Sequence, residues 1–304
     1  MRIEIDQSAL VSGIVATVRR HPVGAFLVWF FTIGQAIAFI PLIAKWTTGT
    51  GLPTEPFLLA ATAVGLVLPT ITITWVVDGE AGLKALRRRA VRLWFPARWY
   101  AFAVLGVPFT LVTIWAAVAG PPEQVGGSGA AMALAAGFVL QLVVVFVTFN
   151  LWEELAWMGF VQARLQERHG AIRAAVLTGP VFALGHISQV IEDSVATTLV
   201  TLILLVAVCI PFRALQTLVY NRTDSLVPVA LVHAAANATA AGSLVGTGLL
   251  DRLYPGDGAG GLVFPALGAL GLVAIAVTRG RLGRPSPARP LGDSELDSTQ
   301  TAPA

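Results

Sequence analysis

The chain has 304 residues, of which 56% are hydrophobic and only 12% are charged, and its mean hydropathy is +0.76. This apolar content exceeds that of a soluble globular domain and is typical of a protein with several membrane-spanning helices. The single cysteine, Cys209, excludes an intrachain disulfide and a cysteine-based zinc site, and we expect it to be a small buried apolar side chain. The net charge of +3 reflects membrane orientation rather than a nucleic-acid partner.

Eight apolar runs are long enough to cross a ~30 Å hydrocarbon core as helices. They cover residues 23–44, 57–77, 99–119, 130–151, 174–191, 195–219, 226–246 and 262–278. The predicted fold class is therefore all-α, a polytopic transmembrane helical bundle that forms a single transmembrane domain over residues 23–278. We expect residues 1–22 to be a cytoplasmic segment without a removable signal, and residues 279–304 to be a disordered cytoplasmic tail.

The basic residues indicate how the bundle is oriented. Of the 20 Lys and Arg residues, 18 fall at the N-terminus, at alternate loops or in the tail, and only Lys45 and Arg252 fall on the other side. This count places Arg213 and Arg222 beside the sixth run. Because positive residues collect on the cytoplasmic side, both termini are predicted to be cytoplasmic. The expected location is the cell membrane, as a multi-pass protein of the bacterial cytoplasmic membrane.

Residues 79–95, GEAGLKALRRRAVRLWF, are not predicted to span the membrane. A helical arrangement gathers their apolar side chains near one face: Leu83, Leu86, Ala90, Leu93 and Trp94. It places basic side chains largely on the other face: Lys84, Arg87, Arg88 and Arg92. This pattern predicts an amphipathic helix at the cytoplasmic interface, with membrane lipids as its partners and guidance of a substrate as the alternative.

Ionisable residues within the apolar runs are functional candidates, because an unpaired charge in the membrane interior is costly. Glu153 and Glu154 directly follow the fourth run, and His186 and His233 lie inside the fifth and seventh runs. Asn237 lies four residues after His233, on the same helix face. Positions 153 and 154 are ~100° apart around a helix, so we expect only one of the two glutamates to face a shared cavity.

The lengths of these helices predict that the candidate residues lie at similar depths in the bundle. If the helix of Glu153 turns at His169 and Gly170, then Glu153 and His186 both lie 16 residues, or ~24 Å, from that turn in an antiparallel hairpin. His233 lies ~13 Å along its own helix from the preceding cytoplasmic loop, at a compatible depth. A Glu, two His and an Asn are therefore predicted to line one cavity that is reached from the cytoplasm.

Two kinds of hydrolysis fit these residues. Glu153 and His186 can activate a water molecule, while His233 and Asn237 donate hydrogen bonds to the oxyanion. Alternatively, Glu153, His186 and His233 can hold a divalent metal such as zinc, whose bound water is the nucleophile. The residues alone leave open whether the reaction uses no cofactor or a metal. A transporter with a proton relay through Glu153 and His186 is a further alternative, in which Asn237 has no evident use.

Three motifs in this order, EELAWMGF (153–160), FALGH (182–186) and HAAAN (233–237), resemble the CPBP, or Abi, family of intramembrane proteases. The resemblance covers about residues 78–246. The family includes CAAX prenyl endopeptidases, which remove the last three residues of prenylated proteins, and bacterial members linked to bacteriocin processing or self-immunity. The resemblance implies an endopeptidase that cleaves a protein or peptide substrate, lipidated or not, near the cytoplasmic membrane face.

Transferred to this chain residue by residue, the resemblance implies a role for each member of the motifs. Glu153 and His186 activate the water, His233 and Asn237 stabilise the oxyanion, and Glu154 supports the first motif.

The chain departs from the family pattern at Met158, where the common motif has an Arg that is an expected charge partner of a glutamate. We expect Met158 to be a lipid-facing or packing residue. The departure leaves an alternative function: a catalytically inactive, membrane-embedded immunity or partner-binding protein of the same fold.

Overall fold

The structure is a computed structural model that describes residues 7–122, 127–191, 194–240, 246–255 and 263–283. Every regular element within these ranges is a helix, which confirms the predicted all-α class. The helices are α1 (Gln7–Arg20), α2 (Pro22–Ala38), α3 (Ile40–Thr48), α4 (Glu55–Ala90), α5 (Arg98–Ala119), α6 (Gly129–His169), α7 (Ala171–Leu184), α8 (Val195–Thr223), α9 (Val227–Ala240), α10 (Leu249–Leu253) and α11 (Val263–Thr278).

Four predicted features lie partly outside the described residues. They are the start of the N-terminal segment, the tail beyond residue 283, the end of the seventh run beyond residue 240 and the start of the eighth run at residue 262.

Each predicted apolar run contains a helix, so the prediction of a polytopic helical bundle is confirmed. Within the described ranges, α4, α5, α6 and α8 are long and apolar enough to cross a membrane, and α1 with α2 makes a fifth candidate if this pair, bent by 110°, is one span. The helices α7 and α9 have 14 residues each, fewer than the ~20 that a straight span needs. Eight full spans and cytoplasmic termini therefore remain predictions.

The fifth run is shorter than predicted, because α7 ends at Leu184 and His186 lies outside it. The backbone leaves the helical conformation at His186 (φ −97°, ψ 8°), which begins a short 3₁₀ turn, Ile187–Gln189. The first His of the site is thus carried by a helix end rather than by a continuous membrane helix.

Helix α4 consists of an apolar part and an amphipathic part that meet at Gly79. Gly79 has φ 64° and ψ −156°, a conformation that glycine adopts far more readily than other residues. The segment 80–90 that follows has a buried Leu86 and exposed basic side chains, as the amphipathic pattern predicts. The predicted end of this helix is wrong: Leu93 and Trp94 lie beyond it and are 58% and 90% exposed.

Helix α6 carries the two glutamates and runs without interruption for 41 residues. It ends at His169, and the chain reverses at Gly170 (φ 80°) into α7, as the length argument predicted. Two π-helical segments, Phe146–Asn150 and Trp157–Gln162, lie on either side of the α-helical segment Leu151–Ala156. Such segments are frequent at functional sites in helices.

Helices α6 and α8 are joined by polar side chains that lie between them. The amide of Gln162 lies 2.9 Å from Thr217 Oγ1, and the amides of Gln166 and Asn221 bond each other at 2.8 and 3.0 Å. Interhelical hydrogen bonds of this kind stabilise helix pairs in membranes by about 0.6–2 kcal/mol each. They fix the position of α8 along α6.

Helix α7 packs closely on α8 because Gly179 has no side chain. A Cβ atom at position 179 would lie only 2.6 Å from the Cα atom of Ile210. Small residues allow membrane helices to approach in this way and gain van der Waals contact. The contact holds the end of α7, and therefore His186, beside α8.

We predict that Gly179→Ala destabilises the bundle by about 1–3 kcal/mol, because the added methyl group forces α7 and α8 apart. Thermal unfolding in detergent micelles measures the effect. Gly13→Ala is the matched control, since nothing lies within 4 Å of a Cβ atom there. An equal melting temperature for the two variants would contradict the close approach of α7 and α8.

Candidate active site

The carboxylate of Glu154 lies at the centre of a buried polar network. Its side chain is 0% exposed and forms an ion pair with Arg213, at 2.8 Å from Nη1 to Oε2. Its other oxygen, Oε1, accepts hydrogen bonds from Gln216 Nε2 at 2.7 Å and from His233 Nδ1 at 3.0 Å. Three helices, α6, α8 and α9, therefore meet at this carboxylate.

Glu153 occupies the more accessible side of the same network, with a side chain that is 18% exposed. Its Oε2 accepts a hydrogen bond from Asn150 Nδ2 at 3.2 Å and lies 3.6 Å from His233 Nδ1. In the described part of the chain no Lys or Arg forms an ion pair with Glu153. This carboxylate is therefore less restrained than that of Glu154.

Both glutamates approach one nitrogen of His233, but from different sides: the Glu153 side chain is partly exposed, and that of Glu154 is fully buried. The two backbone positions do point in different directions, but a Glu side chain has three rotatable bonds. The His233 ring lies between those directions, and each carboxylate reaches Nδ1 from its own side, at 3.0 and 3.6 Å. Because carboxylates only accept hydrogen bonds, Nδ1 carries a hydrogen and Nε2 is the ring nitrogen left for other contacts.

His186 joins the site from the end of α7. Its Nδ1 donates to the carbonyl oxygen of Phe182 at 2.9 Å, which leaves Nε2 as an acceptor. The Phe182 ring contacts both histidines edge-on, with centroid distances of 4.8 Å to His186 and 5.7 Å to His233.

Asn237 connects to the network through Asn150. Its Nδ2 donates to Asn150 Oδ1 at 3.4 Å, and Asn150 in turn donates to Glu153. Asn237 is half-buried, whereas Asn150 is 0% exposed. One amide hydrogen of Asn237 is thus left for a group on the accessible side.

Burial divides the site into two sides. The closed side contains residues with no exposed surface: Glu154, Arg213, Gln216 and Asn150. The accessible side contains residues that are half-buried: Glu153, His186 and Asn237. His233, 6% exposed, lies between them and contacts both glutamates. A substrate or a water molecule therefore meets Glu153 before it meets Glu154.

Three members of this network, Arg213, Gln216 and Asn150, are not predicted from the sequence, and Arg213 lies in a different place from the one expected. Arg213 was counted with the basic residues beside the sixth run, but it is fully buried within α8 and paired with Glu154. A charge inside an apolar run was itself the signal that could have identified it. Gln216, one turn further, and Asn150, three residues before Glu153, offered the weaker signal of polar residues in apolar surroundings.

Met158 is a packing residue, as predicted, with 0% of its surface exposed. It lies one turn after Glu154 on α6, in the π-helical segment, and belongs to the hydrophobic core. The sequence comparison implied that a glutamate would lack its charge partner here. The structure shows that Glu154 has one, supplied by α8 instead of α6. The prediction for Cys209, a buried apolar side chain, is also confirmed, at 3% exposed.

The residues present do not fit a metal ion. Within the described ranges, no three His, Cys, Asp or Glu side chains are arranged to hold one. The nitrogen of His233 that faces the carboxylates donates to Glu154, and the Phe182 carbonyl occupies Nδ1 of His186. The Nε2 atom of each histidine remains free, as in histidines that bind metals, but among the described residues Glu153, His186 and His233 are not grouped closely enough to form a metal site.

We predict that Glu154→Ala destabilises the protein by about 3–5 kcal/mol, because it leaves Arg213 as an unpaired buried charge. The neighbouring change Glu153→Ala removes no ion pair with a cation and serves as the matched control. Thermal unfolding of both variants in the same detergent measures the difference. Equal melting temperatures would show that the Arg213 ion pair does not stabilise the fold.

One comparison with known proteins finds a similarity in this part of the chain. Residues 135–239 match the family model described as type II CAAX prenyl endopeptidase Rce1-like, and this range contains every network residue named above. Searches of curated proteins and of solved structures gave no match. The match supports the resemblance to the CAAX protease family that the three motifs indicated.

Proposed function

We propose that the chain is an intramembrane endopeptidase of the CAAX type, which hydrolyses a peptide bond near the cytoplasmic membrane face without a metal ion. The observation that carries the proposal is the site itself. Two adjacent carboxylates, two histidines and an amide from separate helices converge in an apolar bundle, and Glu153, His186 and Asn237 among them are partly exposed. The Rce1-like match over the same residues supports this class of reaction.

Glu153 and His186 activate the water in this proposal. The Glu153 side chain is partly exposed and forms no ion pair with a Lys or Arg among the described residues. Its carboxylate can therefore accept a proton from a water molecule. The Nε2 atom of His186 can accept the second hydrogen of the same water, because its Nδ1 donates to Phe182. A water held by these two acceptors directs its lone pair at the scissile carbonyl carbon.

His233 and Asn237 stabilise the oxyanion. The free amide hydrogen of Asn237 is one donor. The other is Nε2 of His233 when the ring carries hydrogens on both nitrogens. The carboxylates of Glu153 and Glu154 at Nδ1 then together balance the charges of this ring and of Arg213. The two residues lie one turn apart on α9, so both donors can reach the same oxygen.

The substrate approaches from the cytoplasmic side. Glu153 lies ~24 Å along α6 from the turn at Gly170, where the basic residues of the α6–α7 hairpin indicate the cytoplasm. An ion pair between Asp78 and Arg164 joins the start of the amphipathic segment to α6 on that side. Contact of segment 80–90 with membrane lipids holds this end of the bundle at the interface.

We predict that Glu153→Gln and His186→Ala each lower kcat by about 10²–10⁴-fold, because each removes an acceptor for the attacking water. Purified protein in detergent micelles is given two peptides of one sequence ending in a CAAX motif, one farnesylated and one unmodified. Mass spectrometry of the products measures the rate and the bond cleaved. Comparison of the two peptides shows whether the substrate needs a lipid.

Glu167→Gln and His169→Ala are the matched controls, because both residues are exposed at the end of α6. They should retain the parental rate. Undiminished cleavage by the Glu153 or His186 variants would refute the assignment of the water-activating residues. Absence of cleavage by the parent with both peptides would favour the inactive, partner-binding alternative.

We predict that Asn237→Ala lowers kcat by about 10²–10³-fold and leaves KM within a few-fold, because an oxyanion donor acts mainly in the transition state. Initial rates over a range of peptide concentrations separate the two constants. Gln189→Ala is the control, since Gln189 is an exposed amide on the turn after His186. A change in KM alone would assign Asn237 to substrate binding instead.

A further inference from the structure

Arg213 places a guanidinium group inside the apolar helix α8, where its side chain is fully buried. It lies ten residues, or ~15 Å, before the end of this helix at Thr223. A buried charge in a membrane protein is costly unless it is paired, and such residues usually serve a site. The contacts of Arg213 indicate which site it serves.

One nitrogen of Arg213 makes three hydrogen bonds to two acceptor side chains. Nη1 donates to Glu154 at 2.8 Å (Oε2) and 3.0 Å (Oε1), and to Gln216 Oε1 at 2.6 Å. Gln216 donates back to Glu154 Oε1 at 2.7 Å. Arg213 and Gln216, one turn apart on α8, therefore hold the carboxylate in one orientation.

The orientation of the Glu154 carboxylate determines which ring nitrogen of His233 is bound to it and which is left for other groups. Glu154 Oε1, fixed by Gln216 and Arg213, is the atom that accepts from His233 Nδ1 at 3.0 Å. The guanidinium carbon of Arg213 also lies 5.2 Å from the centre of the Phe182 ring, which packs against the same histidine. Arg213 thus contacts two of the side chains that hold the His233 ring, although it does not contact the ring itself.

We infer that Arg213 is a positioning residue: it holds Glu154 against His233 Nδ1 and so leaves Nε2 as the nitrogen that faces the reacting groups. The cation comes from a helix that is 59 residues away in sequence, while the turn of α6 after Glu154 supplies the apolar Met158. The effect of Arg213 on cleavage rests on the proposed function. Its effect on the His233 ring does not.

The first test therefore needs no substrate. The chain contains four histidines, His21, His169, His186 and His233, and ¹⁵N labelling of histidine makes each ring visible by NMR in detergent micelles. Loss of the His233 signals in His233→Gln assigns them. In Arg213→Met the His233 ring signals should move, because the Nδ1 acceptor is released, while the His21 and His169 signals stay unchanged. Unchanged His233 signals in folded Arg213→Met would overturn the inference.

The second test is a double-mutant cycle on kcat. Arg213→Met should lower kcat by about 10- to 100-fold with KM unchanged, as expected when a histidine loses its orienting partner. In Glu154→Gln protein, which has no carboxylate to orient, adding Arg213→Met should cause no further loss. Arg222→Met, an exposed arginine at the end of the same helix, is the matched control and should retain the parental rate.

The outcomes separate the two proposals. If parental protein cleaves neither peptide, the proposed function fails, and the NMR test still decides whether Arg213 positions His233. If the Arg213 change lowers kcat equally in the parental and the Glu154→Gln backgrounds, Arg213 acts independently of Glu154 and the inference is wrong. If Arg213→Met alone does not fold, the double variant is used, because it contains no unpaired buried charge. A lower kcat than that of Glu154→Gln would then overturn the inference.

Discussion

The ion pair between Glu154 and Arg213 is the constraint on which the site depends. Each group alone would be an unpaired charge in an apolar bundle, so the two must remain in contact for the bundle to be stable. This requirement fixes the position of α8 relative to α6 along the helix axes. The amide contacts further along the same helices, at Gln162 and Gln166, support the same alignment. The position of His233 then follows from the carboxylate, which offers it an oriented acceptor.

The same pair explains why two adjacent glutamates can have different roles. Glu154 has its charge neutralised and its oxygens occupied, so it is suited to orient a histidine and is a poor acceptor for a proton from water. Glu153 has a neutral amide as its hydrogen-bond partner and a partly exposed side chain, so it can exchange a proton with a water molecule. The surroundings of the two carboxylates, rather than their residue type, distinguish the proposed base, Glu153, from its neighbour Glu154.

Hydropathy and local spacing predicted much of the fold and part of the site. Long apolar runs identify membrane helices because the bilayer demands them, and the distance of Glu153 and His186 from Gly170 predicted that they would share a depth. Local spacing could not predict the ends of α7 or the departure of His186 from the helix. It also could not predict that both Glu153 and Glu154 would reach His233, since backbone direction alone does not say where long side chains end. Arg213 and Asn150 were missed because their roles come from tertiary contacts.

Met158 shows how a motif and a site can disagree. A motif compares residues one turn apart on a single helix, and on that comparison Glu154 has no cation. A carboxylate in an apolar bundle responds to every group within about 4 Å, whichever helix carries it. Here the close packing of α7 and α8 and the polar contacts between α6 and α8 bring Arg213 to the position that such a cation must occupy. An apolar residue at position 158 is therefore compatible with an ion-paired Glu154, because the cation comes from α8.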